Sequence, residues 1–589
     1  MQEIPLPLQP SHGIVRKPTV YETTTEVDVS LNPSSPQLIP HSPSPSHSPP
    51  PQHRMAQLLD QAPEVLHHIF QNVEPTDLAR LSRTCRYLNS VVKNDELLWK
   101  IQYLALFDPP SDSDAETWRA RLSRLVNLQK TLESDNEQTK TQNLSDILTQ
   151  TLALTTQALA TSQKNTSFLS NYYQQGLNIN SILCCSSLFA RARPRQWPSA
   201  PTNELRQISA QLHVLAGMNI DAPWPDPEGQ SCPHIRSRAG SIFDESYDNS
   251  DDSSDAGIGE SDVPDTEDTR LRLRNYPTPI RDIHPWARSR VYDLRRYKES
   301  NMWGPFHDDG SGRIDWEKVQ AIMVVLAYNH RLYTERRGLI GADSLGLPES
   351  VRAMLSDSVR NVSSTRGNLL RPWEGLFEGI APNSYVSSPL EGKIKPSPHP
   401  DLDALDPYGV TGTWMRIVCF LDYNDLYRFN FDYQANIPAD QERGPITTRE
   451  AFRLIKLQLH VTRVEEQEGV DIHGKPLLPV VHFEGTSRST FMAWDPNANS
   501  RIRGTVQANA HGAIRWTSFS IFHGEERWRS EGVQVGGLKS ARGILGNWFD
   551  KDYDVHGPAG PTAFWKVSDM MVEEKRREVP NVLQIFLAE

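Results

Sequence analysis

The stretch MAQLLDQAPEVLHHIFQNVEPTDLARLSRTCRYLNSVVKNDELLWKIQYLALFD, Met55 to Asp108, decides how the N-terminal half folds. Leu66, Ile69, Phe70 and Val73 fall at i, i+3, i+4 and i+7, the spacing of one apolar helix face. Glu74-Pro75-Thr76-Asp77 breaks that helix and offers an N-cap to a second periodic run, Leu78, Leu81, Cys85 and Leu88. A third run, Leu88, Val91 and Val92, leads to Leu97, Leu98 and Trp99. About 50 residues thus hold three or four short helices with more apolar surface than so small a unit buries against itself. The pattern predicts a small all-α unit that needs a partner.

Outward from this stretch the composition changes. The chain has 589 residues, 37% hydrophobic, with 44 prolines and a net charge of −12, enough for two to four domains separated by unfolded segments. Residues 1–52, ending in a Ser/Pro-rich run, read as a disordered tail. The helical unit occupies 53–108 and a helical spacer 109–230, with helices expected near Phe168–Phe189 and Glu204–Leu215. Residues 231–279 form an acidic linker: Asp244 to Asp268 holds 11 acidic residues and no Lys or Arg, a composition that cannot cover a core. In 280–405, helices are expected over Arg288–Lys298 and Trp316–Arg337. From about 406 to 589 the period becomes two. Leu457, Leu459 and Val461 alternate with polar residues, and Trp414 to Leu421 is a nearly continuous apolar strand. His511-Gly512 and His523-Gly524 read as hairpin turns, and the phase slip within Ile514–Phe522 predicts a bulge. The fold class is therefore multidomain α+β, with a C-terminal antiparallel barrel or sandwich flanked by helices.

Chemistry-bearing motifs are few. His307 to Lys318 imitates a calcium loop, but His307 and Lys318 stand where that loop needs carboxylates, so a Gly-rich turn whose Asp315 starts the next helix is expected instead. Histidines 460, 482, 511, 523 and 556 show no metal-ligand spacing, there is no Gly-x-Ser-x-Gly, and Cys419 lies in an apolar strand that disfavours a thiolate. No metal, cofactor or catalytic residue is expected, and the protein reads as a non-enzyme. The net charge and lack of basic clusters argue against nucleic acid. Five cysteines without disulfide spacing, no leader and no long apolar run point to a cytoplasmic or nuclear protein that does not span a membrane. Ten of the 14 tryptophans follow residue 280, several near arginines. Trp494, Arg503, Trp516 and Trp528 are the candidate substrate contacts, because Trp and Arg often anchor partner recognition.

The order Ala62-Pro63-Glu64-Val65-Leu66, Ile69-Phe70, Leu81-Ser82, Thr84-Cys85-Arg86 and Glu96-Leu97-Leu98-Trp99 resembles the F-box. Ala62 replaces the family's usual Leu, with Leu58 and Leu59 nearby. Three later stretches are similar to a filamentous-fungal family of F-box proteins: Arg288–Arg295, Trp303–Phe306 with Gly312–Trp316, and Asp406–Trp414. Gly546–Tyr553, His556-Gly557 and Phe564-Trp565 resemble animal F-box-only proteins whose C-terminal β-barrel binds degrons. The resemblance implies a substrate receptor of a Skp–cullin–F-box ubiquitin ligase. Pro63, Glu64, Val65, Leu66, Ile69, Phe70, Leu78 and Leu81 would bind the Skp adaptor, and through it cullin and RING subunits, while the β domain would hold an unidentified protein substrate. A non-degradative Skp-binding adaptor and a small-molecule-binding barrel with an accessory F-box are the alternatives.

Overall fold

The structure is a computed structural model that describes residues 58–110, 116–174, 176–192, 199–217, 280–336, 372–373, 375–390, 392–432, 434–490 and 498–573. The Ser/Pro-rich tail, the acidic block and Trp494 lie outside these residues. Four helices build the N-terminal unit: α1 Pro63–Phe70, α2 Pro75–Leu81, α3 Arg86–Asn94 and α4 Glu96–Leu106. Pro75 starts α2, where a missing N–H costs nothing, and Asp95 caps α4 by accepting from Leu98 N at 2.8 Å.

The spacer is helical. It includes α5 Trp118–Glu133, α6 Leu144–Thr156, α7 Lys164–Tyr173, α8 Ser187–Ala192 and α9 Asn203–Ala216. Asp108 joins it to the first unit by accepting from Leu159 N, Lys164 N and Asn165 N at the start of α7. The carboxylate thereby fills donors that a helix N-terminus leaves open. His213 in α9 is buried, edge-on to Phe189, and burial pushes its pKa down to about 4. It is neutral in the folded chain, whereas an unfolded histidine titrates near 6.5. Stability is therefore lost as pH falls from about 6.5 towards 4. Going from pH 7 to pH 5 should cost the wild type about 2 kcal/mol more than a His213→Leu variant in urea unfolding. Parallel pH dependences would remove this assignment.

Beyond the linker, the helix expected over Arg288–Lys298 is instead α10, Ile280–Val291. It ends early because Asp293 turns back to cap a short 3₁₀ turn through Arg295 N. The next helix, α11 Trp316–Arg336, lies where its periodicity predicts. As expected, Asp315 accepts from Glu317 N and Lys318 N at its start.

The barrel-or-sandwich alternative resolves to a closed barrel of eight antiparallel strands in sequence order. They are β1 Gly412–Leu421, β2 Glu450–Glu465, β3 Val480–Ser489, β4 Asn499–Ala508, β5 Ile514–Phe522, β6 Glu525–Gln534, β7 Ile544–Asp550 and β8 Ala559–Ser568. Closure runs through β1 and β8, with Trp414 opposite Lys566. One half of the interior is packed by Trp414, Leu457, Val461, Phe483, Val506, Trp516 and Phe564 among others, as suits eight strands. Gly504 is required there: a Cβ would meet the Phe483 ring at 2.5 Å. β1 is apolar on both faces because α11 covers its outside, where Asn329 reaches the Cys419 Sγ.

The phase slip in β5 has a different cause from the bulge expected there. Burial alternates without interruption through Ile514, Trp516, Ser518 and Ser520. The extra residue sits on β6 instead, where Ser520 pairs with Trp528 but Ile521 pairs with Glu526, leaving Arg527 over. Serines face inward because Arg416 is buried in the lumen. It donates to Ser530 at 2.7 Å, Thr562 at 3.1 Å and Ser520 at 3.4 Å, and lies over the Phe564 ring. Phe519 faces outward beneath Arg503 and Arg529. Burial lowers the Arg416 pKa to about 9. Hydroxyls in place of apolar residues are what keep so buried a cation tolerable.

Candidate functional site

The first candidate surface lies on the N-terminal helices. Leu66, Phe70, Leu78, Leu88, Val92, Leu98, Trp99 and Tyr103 form the inside of this unit. Trp99 Nε1 donates to Val92 O at 2.8 Å, and Gln102 Nε2 donates to Phe70 O, Gln71 O and Val73 O where α1 ends. These contacts satisfy carbonyls that a helix C-terminus leaves open. The remaining apolar residues point outward. Val65 is 44% exposed, Ile69 42%, Tyr87 41%, Leu97 60% and Leu106 46%. Val65 and Ile69 are one helical turn apart and share a face of α1.

The eight residues singled out from the sequence therefore divide. Leu66, Phe70 and Leu78 are core, at most 1% exposed. Pro63, Glu64, Val65 and Ile69 are exposed, and Leu81 is half-buried. Tyr87, Leu97 and Leu106 were not among the eight. Their exposure becomes visible only once the helices are packed, since sequence periodicity does not distinguish an inner leucine from an outer one.

The second candidate is a cleft of about 170 Å³ at one end of the barrel. Its walls come from the loop before β1, the β6–β7 loop, the end of β8 and the segment around Tyr385. Trp414 Nε1 donates to Val410 O at 2.8 Å. Tyr408 donates to Pro479 O and accepts from Ala508 N, and burial pushes its pKa up to about 12. Lys566 Nζ lies 5.2 Å from the Tyr385 ring centroid and 6.0 Å from that of Trp414. It donates to Asp569 at 2.6 Å and to Gly409 O at 2.8 Å. Burial lowers the Lys566 pKa, and Asp569 opposes that shift. Lys539, half-buried in the same wall, makes no ion pair among the described residues. A volume of this size accepts roughly one side chain, well short of the ~300–1,000 Å³ of a drug-sized or cofactor pocket.

Of the four substrate contacts expected from composition, Trp494 lies outside the described residues, and Arg503, Trp516 and Trp528 are not brought together. Trp516 is a core residue, 5.2 Å from Trp414 between ring centroids. Arg503 is on the outer face with Glu526. Trp528 packs edge-on against Trp548 at the barrel end opposite the cleft. Other arginines of that cluster are structural: Arg515 and Arg529 pair with the fully buried Glu531, and Arg529 stacks over Trp303. The residues that do line the cleft come from four separate segments, so no local motif announces them.

The calcium-like loop is filled by its own cations. Asp308 accepts from Lys298 Nζ at 2.7 Å, Lys318 Nζ at 2.8 Å and Asn301 Nδ2 at 2.7 Å. Burial alone would raise the Asp308 pKa, but the two lysines hold it far below the carboxylate range. Among the described residues no group of three or more His, Cys, Asp or Glu side chains is placed to hold a metal ion. None of the described helices is long and apolar enough to cross a membrane.

Hydrogen bonds and ion pairs tie the helical spacer to the C-terminal half. Ser187 Oγ donates to Glu317 at 2.7 Å, and Gln207 bridges to Asp315 and Trp316 N. Arg191 pairs with Glu442, which also binds Arg290 and Arg296. Arg542, 1% exposed, donates to Ala216 O at the end of α9 and to Pro372 O, tying the spacer to the β6–β7 loop. Compared with known proteins, residues 63–105 match the F-box-like family profile. Neither a search of curated proteins nor one of solved structures returns a match to this chain.

Proposed function

The chain carries an F-box-like domain at residues 63–105, and on that footing we propose that it is the substrate-recognition subunit of a Skp–cullin–F-box ubiquitin ligase. The observation that carries this reading is the exposed apolar set Val65, Ile69, Tyr87, Leu97 and Leu106 on a unit whose core is already complete without it. Isolated exposed apolar residues need no explanation. Two on one helix face, within a domain of a family that docks on Skp-type adaptors, are what an adaptor-binding surface requires. Cullin and RING subunits follow through the adaptor.

The barrel is the substrate-holding part. Among the described residues no group of three or more His, Cys, Asp or Glu side chains is placed to hold a metal ion, and much of the barrel interior is packed side chains. The rate gain would come from holding a substrate lysine near the ubiquitin-loaded conjugating enzyme, an effect of local concentration and orientation. That role suits the hydrogen bonds and ion pairs that tie the helical spacer to the C-terminal half. The reading places the protein in the cytoplasm or nucleus, where ubiquitin ligases of this class work.

Affinity purification of the intact protein beside a Val65→Glu, Ile69→Glu variant tests the reading. Adaptor and cullin should co-purify with the wild type only, and a protein that is degraded with the wild type should accumulate on the variant. A variant that keeps its adaptor, or a wild type whose adaptor-bound partners show unchanged lifetimes, would favour respectively a different docking face or a non-degradative adaptor.

A further inference from the structure

The lining of the barrel cleft holds more cations than carboxylates. Lys566 and Lys539 both line it with one carboxylate, Asp569, while a second, the buried Asp406, acts on both lysines from behind the wall with its oxygens accepting from Tyr408 N and Val410 N. Asp569 is 60% exposed, so it sits at the rim, while Lys566 is only 9% exposed. The aromatic faces of Tyr385 and Trp414 would suit a cationic ligand, but Lys566 already occupies them from within the chain. What an incoming group meets in the lining is therefore two ammonium groups between apolar walls. An ammonium has three donors, and Lys566 spends two on Asp569 and Gly409 O. Among the described residues no acceptor takes the third.

We propose that this cleft binds a carboxylate carried on a compact apolar group, as an acidic side chain beside an apolar one presents it in a protein ligand. Lys566 is the buried anchor, Lys539 the second cation, and Trp414, Tyr385 and Tyr408 enclose the apolar part. Asp569 is the internal competitor: its carboxylate holds Lys566 until the ligand's carboxylate displaces it to solvent. The volume admits about one side chain, so the site reads a single residue and leaves the rest of the ligand to the barrel rim. This deepens the substrate-receptor reading and rests on it only for the ligand's being a protein.

The test uses the full-length protein and ligand-detected NMR or calorimetry with phenylacetate, phenylacetamide and phenethylamine. Phenylacetate should bind about tenfold or more tightly than its neutral amide, because a charge-assisted hydrogen bond distinguishes them. The amine should not bind. Lys566→Gln and Lys539→Gln should each weaken phenylacetate, whereas Asp569→Asn should strengthen it. A merely structural role for these residues predicts no such strengthening, and the thermal midpoint of each variant checks that it is folded. Equal binding of acid and amide, preference for the amine, or weaker binding by Asp569→Asn overturns the proposal. A blocked peptide Leu-Glu-Leu should outcompete Leu-Gln-Leu at the same site. If only the free acid shows the preference, the protein-borne source is wrong. Adaptor binding, measured separately on the same samples, tells failure here from failure of the receptor reading.

Discussion

Replacing Glu450 with alanine should destabilise the C-terminal body by about 3–5 kcal/mol, the cost of leaving a buried cation without its partner. Glu450 begins β2 and its side chain is 3% exposed. Arg288 Nε lies 3.3 Å from it and His284 Nε2 3.4 Å, both on α10. Tyr292 donates its hydroxyl, and Asn329 of α11 donates at 2.7 Å. One carboxylate thus holds two helices against the barrel wall. Burial alone would raise its pKa, but His284 and Arg288 keep it below the ordinary glutamate value. The sign of the pH dependence follows: the contribution is complete above the unfolded glutamate pKa, near 4.3, and is lost as pH falls through the folded value. A natural comparison is Glu573→Ala, which removes an ion pair with Lys393 whose partners are 54% and 77% exposed. That change should stay within about 1 kcal/mol. Urea unfolding followed by tryptophan fluorescence reads both variants, and equal midpoints would show that the Glu450 cluster does not join helices to barrel.

The Val65→Glu, Ile69→Glu variant should lose adaptor affinity by more than about 100-fold. Burying an apolar side chain of this size is worth about 1.5–3 kcal/mol, and 2.7 kcal/mol is a factor of 100. Two carboxylates forced into an apolar contact add a desolvation cost. The fold should survive, because both positions are more than 40% exposed and no hydrogen bond of the domain depends on their side chains. Leu66→Glu would also abolish binding, but by unfolding the unit, since Leu66 is fully buried. The two substitutions are adjacent in sequence and opposite in meaning. Circular dichroism of the variants separates them: the double variant keeps its helical signal, and Leu66→Glu reduces it. Retained adaptor affinity in the folded double variant would move the docking face elsewhere.

The contrast between Val65 and Leu66 also shows where sequence reading stopped. The period of 3.6 in Leu66–Val73 and the Pro75 break set the helices, because local propensity and capping act within a few residues. Which apolar residue faces inward depends on how four helices pack, and Leu66, Phe70 and Leu78 turned out to be core. In the barrel, Leu457–Val461 was legible from alternation alone. Ile514–Phe522 was not, because Arg416, 104 residues earlier than Ser520, claims the inward positions for hydroxyls. Helix α10 ran earlier than its apolar pattern implied, since Asp293 ends it. The cleft was invisible for the same reason as the β5 serines: Tyr385, Tyr408, Lys539 and Lys566 converge only through barrel closure. Of the tryptophans chosen by composition, Trp516 fills the barrel and Trp528 packs against Trp548.

The most direct test of the whole account is a calorimetric titration of the intact protein with a purified Skp-type adaptor, followed by size-exclusion chromatography of the mixture. A saturable 1:1 complex, lost in the Val65→Glu, Ile69→Glu variant, is the predicted result. A folded chain that gives no binding heat and elutes apart from the adaptor would contradict the assignment.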